Sequence, residues 1–144
     1  MLKAVSHVTL WVDDQDEALA FYTDKLGCEV RDDVTVEEMD NFRWLTVGAP
    51  GQPDLRIALL RPDTIPTSPE TLGKLRDVIA QGAAGGLIFD VDDCRSTAED
   101  LKRKGVEFTQ EPVEQFYGID AGIRDPFGNQ HRLVQRVAEP ARTA

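Results

Sequence analysis

The chain has 144 residues but only two cysteines and two histidines. Aromatics are scarce (7%), and positive charge is short, with 16 Lys and Arg against 26 Asp and Glu, a formal net charge of -10. Each shortage excludes something. Cys28 and Cys94 are isolated from each other, which leaves no disulfide framework and no Cys-rich zinc site; both read as small, partly buried thiols. A nucleic-acid binder needs a clustered basic face, so nucleic acid is not expected as a partner. No window approaches the roughly 20 apolar residues of a membrane span. The opening "MLKAVSHVTLWVDD" turns acidic after a few apolar residues, unlike a signal peptide, and the expectation is a cytoplasmic protein with no membrane partner. With no nucleophile elbow, a Ser-His-Asp site is excluded, and "GAAGG" lacks the spacing and the following basic residue of a phosphate loop.

What the chain does have is a repeat. "HVTLWVDD" from His7 aligns with "GLIFDVDD" from Gly86, and "KLGCEV" aligns with "RKGVEF" after a one-residue gap. In the first copy Val8, Leu10 and Val12 alternate with His7, Thr9 and Trp11, the period of a strand with one buried face. Asp13 or Asp14 then offers a helix cap; Ala18, Phe21, Tyr22 and Leu26 supply an apolar stripe, and Gly27 a stop. The second copy repeats this with Leu87, Phe89 and Val91, a cap at Asp92 or Asp93, a stripe of Ala98 and Leu101, and Gly105. Three extended segments follow each helix: 28–36, 42–48 and 54–61 in the first copy, then 106–110, 116–124 and 130–137 in the second. The chain therefore reads as one domain over 1–144. Module one covers 1–62, a linker with a short helix (Leu72, Leu75, Val78, Ile79) covers 63–84, and module two covers 85–138.

A histidine opening the first strand, "VDD" before each first helix, "FYTDKLG" and "DPFGNQHRLVQ", in that order and within an internal duplication, resemble the vicinal oxygen chelate superfamily. Glyoxalases, extradiol dioxygenases and bleomycin resistance proteins belong to it. The resemblance spans residues 5 to 137 and implies an α+β fold in which two βαβββ modules curl an eight-stranded sheet around a cleft, helices outside. It also implies a homodimer. Metal-using members carry a ligand on the first and fourth strands of each module. Those positions here are His7, Ala58, Gly86 and Arg132, of which only His7 can coordinate a divalent cation. No cofactor is expected, a divalent metal being the alternative.

Strand parity places His7, Thr9, Trp11, Arg56, Ala58, Leu60, Gly86, Ile88, Asp90, Gln130, Arg132 and Val134 on the cleft side and His131 on the opposite face. His7 is either a hydrogen-bonded histidine of the fold or an acid-base group toward a ligand. Arg132 needs an anion, either an internal partner such as Asp90 or Glu38 or a charged ligand. Trp11, Trp44 and Phe42 would line the cleft, as stacking walls or as ordinary packing. By analogy Tyr117 and Gln115 lie where relatives close over a ligand. The expected ligand-binding set is thus His7, Thr9, Trp11, Trp44, Ala58, Ile88, Asp90, Tyr117 and Arg132. The expected function is metal-independent binding of a small planar or anionic molecule. The alternative is an enzyme of the same superfamily, a lyase, isomerase or dioxygenase, with a non-standard or absent metal site and with His7 and Arg132 as the catalytic candidates.

Overall fold

The structure, a computed structural model, describes residues 1–137; the end of the expected second module, at residue 138, and the last residues of the domain range lie outside them. The first module contains β1 (His7–Trp11), α1 (Gln15–Ala20), β2 (Glu29–Val36), β3 (Phe42–Gly48) and β4 (Arg56–Leu60). α2 (Pro69–Ala80) follows. The second contains β5 (Ile88–Asp90), α3 (Cys94–Arg103), β6 (Glu107–Gln115), β7 (Gly118–Arg124) and β8 (Gln130–Arg136). The fold is α+β with the βαβββ unit used twice, as expected. Its eight strands are shared between two mixed sheets of four, ordered β1-β4-β3-β2 and β5-β8-β7-β6.

The caps settle which aspartate of each pair begins the helix. The Asp14 carboxylate accepts from the Glu17 N–H, and that of Asp93 from the Ser96 N–H. The first helix is not one continuous α-helix as far as Leu26. It widens into a π-helical turn over Phe21–Lys25, where two successive aromatics, Phe21 and Tyr22, are both buried. β6 does not stop at residue 110 but continues through Pro112. An edge strand tolerates the missing N–H there, and the ladder shifts register between Gln110 and Val113. In α2 the expected apolar stripe buries only Ile79, while Val78 stays 42% exposed.

The inner faces of both sheets meet in one core. Leu10, Val12, Leu45, Val47, Ile57 and Leu59 of the first sheet and Ala121, Ile123 and Leu133 of the second belong to it, with Phe21, Tyr22 and Leu101 from the helical segments. Since successive strand residues alternate between faces, the other face of each sheet points away from this shared core. Polar bonds lock the modules further. Tyr22 contacts Asp125 and His131 at 2.7 Å each, and the Asn129 amide donates to the Trp11 carbonyl at 2.8 Å. The "DPFGN" turn is therefore a tie between modules as well as a connection between β7 and β8.

Candidate functional site

The ladder of the first sheet pairs His7 with Arg56, Thr9 with Ala58 and Trp11 with Leu60, and it pairs Thr46 with Ala58. This register gathers His7, Thr9, Trp11, Ala58, Trp44 and Phe42 on one outer face, as strand parity requires. The His7 ring lies 5.5 Å from that of Trp44, which is stacked at 6.5 Å on Phe42. Ser6 Oγ lies 2.8 Å from Nδ1 of His7, an exposed residue. Ala58 and Thr46 are buried beneath this row, and the Thr46 hydroxyl donates to Asp32 at 2.6 Å.

On the outer face of the second sheet, Ile88 and Gly122 both pair with Arg132, while Asp90 and Asp120 both pair with Val134. Arg132 does have an internal partner, but it is neither Asp90 nor Glu38. Nε donates to one Asp120 oxygen at 3.0 Å and Nη2 approaches the other at 2.6 Å, a two-point grip, with Gln110 Oε1 at 3.2 Å. Asp90 is taken by Arg136 at 2.7 Å, and Glu38 sits exposed in a short turn of the first module. The Tyr117 hydroxyl donates to Asp120 at 2.5 Å. Burial pushes the Asp120 carboxyl up, but hydrogen bonds from Arg132 and Tyr117 outweigh it and hold the group below the usual carboxylate range. The same hydrogen bond raises the Tyr117 phenol. Sequence reasoning missed Asp120 and Gln110. Parity would have found Asp120 once β7 was laid against β8, because it lies two residues from Gly122, the neighbour of Arg132.

Of the four family metal positions, only His7 carries a side chain that can coordinate a divalent cation. Ala58 offers no donor, and Arg132 is held by Asp120. At Gly86 an added Cβ would stand 1.6 Å from the Gln130 carbonyl oxygen, so a ligand side chain has no room there without backbone movement. His131 is fully buried on the inner face, as parity demands, and serves the contact between modules. Among the described residues no group of three or more His, Cys, Asp or Glu side chains is placed to hold a metal ion. Cys28 and Cys94 are buried free thiols, and burial pushes Cys28 up to about 11.

The structure thus assembles the expected residues as two groups on two outer faces. His7, Thr9, Trp11, Trp44 and Ala58 form one; Ile88, Asp90 and Arg132 form the other, with Tyr117 at the turn between β6 and β7. Both faces are open, with His7 exposed on the first and Ile88 73% exposed on the second. Among the described residues no helix is long and apolar enough to cross a membrane.

Residues 4–133 match the family model of the glyoxalase/bleomycin resistance protein/dioxygenase superfamily. The uncharacterized protein YurT of Bacillus subtilis (strain 168) is 36% identical over 128 residues, covering 89% of this chain and 95% of YurT. The crystal structure of UcmS2 shares 43% identity at a TM-score of 0.86, covering 93% of this chain and 98% of that one. TnmS3 from Streptomyces sp. CB03234, described as an antibiotic binding protein, shares 26% identity at a TM-score of 0.74, covering 94% and 98%.

Proposed function

Because the chain belongs to the glyoxalase/bleomycin resistance protein/dioxygenase superfamily, we propose that it binds a small, planar, uncharged molecule without a catalytic metal, in a cleft that a second copy completes. The observation that carries this reading is the row His7, Trp44 and Phe42, which sets Trp44 stacked on Phe42 and the tilted His7 ring beside it on an outward face. Flat apolar rings in such a place serve a ligand better than they serve a core they do not enter. An anionic ligand loses its support because Asp120 already neutralises Arg132. The likeness to TnmS3 supports a binding role of the same general kind.

The second copy enters for a physical reason. One chain turns its two cleft faces away from a common core, so each is half a cleft. Pairing the first sheet of one chain with the second sheet of another covers the rings and hides Ile88, 73% exposed, and Val34, 54% exposed. A cytoplasmic setting fits the two unpaired thiols.

The test is quenching of tryptophan fluorescence by flat polycyclic probes, backed by calorimetry, with metal analysis of protein purified without chelators. Saturable binding that falls about tenfold in Trp44→Ala is the expected result, the size of one aromatic stacking contact. Binding indifferent to Trp44→Ala, or dependent on a stoichiometric metal, would overturn the reading. Sedimentation should return twice the chain mass.

A further inference from the structure

We propose that the cavity at the ends of β3 and β4 is a subsite for a sugar-like, hydroxyl-rich appendage carried by the aromatic ligand. The proposal rests on the reading of the aromatic row above. The cavity measures about 410 Å³ and is walled in part by Asp40, Asn41, Phe42, Arg61, Asp63 and Thr64. That size falls within the roughly 300–1,000 Å³ of small-molecule sites. Phe42 is the link: it walls the cavity and also stacks on Trp44. A ring system lying on Trp44 and a group seated in the cavity can therefore belong to one molecule.

The wall chemistry selects the class of that group. The side chains of Asp40 and Asn41 have no hydrogen-bond partner among the described residues, so a carboxylate acceptor and an amide with both donor and acceptor are free at the rim. Arg61 is held to Asp63 through Nε at 3.3 Å and Nη2 at 2.9 Å, which leaves Nη1 as a further donor. Donors and acceptors set around an aromatic ring match a polyol, whose hydroxyls do both and whose C–H face packs on a ring. Charge argues against an anionic group. Arg43, on the same wall, is neutralised by Asp16 at 2.7 Å and Asp33 at 2.9 Å, and Arg61 is neutralised by Asp63. Asp40 is left uncompensated.

The probes are umbelliferone, its β-glucoside and its β-glucuronide. The glucoside should bind about tenfold tighter than umbelliferone, and the glucuronide should gain nothing. Asn41→Gly removes the amide while keeping the left-handed backbone (φ 58) that glycine accepts, and it should lower glucoside affinity about fivefold without changing that of umbelliferone. Equal affinity for glucoside and umbelliferone, or a glucuronide that matches the glucoside, overturns the subsite and leaves the aromatic row standing. If umbelliferone fails to quench Trp44, the row reading fails. The subsite is then decided by millimolar methyl β-glucoside in amide NMR: shifts confined to residues 39–43 and 61–64 uphold it, and their absence overturns it.

Discussion

The hydroxyl of Tyr22, in the first module, lies 2.7 Å from a carboxylate oxygen of Asp125 and 2.7 Å from Nε2 of His131, both in the second. His131 Nδ1 accepts the Leu87 N–H at 3.0 Å, so its proton sits on Nε2 and is donated to Tyr22, which in turn donates to Asp125. Burial, then Asp125, pushes the phenol upward and keeps it a donor. Tyr22→Phe retains the ring and removes this relay, leaving a buried N–H without an acceptor. Urea unfolding should show a loss of about 1–3 kcal/mol. An unchanged midpoint would show that the tie does not hold the modules.

The same network makes stability depend on pH. Burial lowers His131 to about 4, with Asp125 opposing, against 6.5 in the unfolded chain. The unfolded state therefore binds more protons between these values. Its contribution to stability is complete above pH 6.5, declines as the pH falls from 6.5 toward 4, and changes no further below. The loss should be of order 3 kcal/mol, seen as a midpoint that drops across this window in the native chain and drops less in His131→Gln. A drop of equal steepness in both would assign the effect to other groups.

Arg132→Met strips the two-point partner from Asp120, whose side chain is 8% exposed, and leaves it only the Tyr117 hydroxyl. With Arg132 itself 36% exposed, the loss should be about 1–3 kcal/mol, below that of a fully buried pair. The Asp120 carboxyl should titrate higher in the variant. Adding Asp120→Asn should recover part of the stability, and a double-mutant cycle measures the coupling. Strict additivity would mean the pair contributes nothing.

Placing a histidine at Gly86, the family position that opens the second module, should not create a metal site. Gly86→Ala already drives a Cβ into the Gln130 carbonyl, and about 1–3 kcal/mol of destabilisation is expected. Gly86→His should unfold at lower denaturant still and fail to compete with a zinc-sensitive dye. Tight zinc uptake by Gly86→His would show that the backbone there yields.

Much of this was legible beforehand in particular residues. Alternation in "HVTLWV" placed His7 and Trp11 opposite Leu10, and the same rule sent His131 inward and Arg132 outward. In the sequence Tyr22 belongs only to an apolar stripe, because nothing local to the helix announces a hydroxyl acceptor 103 residues away. Nothing in the sequence favours Asp120 over Asp90 or Glu38 as the partner of Arg132; the pairing of β7 with β8 supplies that carboxylate.

The amino-acid order by itself determined the repeat, an aspartate pair that caps each module's first helix, the glycine stops and the face each strand residue takes, since alternation, caps and left-handed turns depend on a few adjacent residues. Only the tertiary structure decided which carboxylate meets Arg132, that the inner faces merge into one core, and that the aromatic row and Arg132 lie on separate outer faces. Those depend on ladder register and on how two modules pack, relations between distant segments that no local pattern encodes.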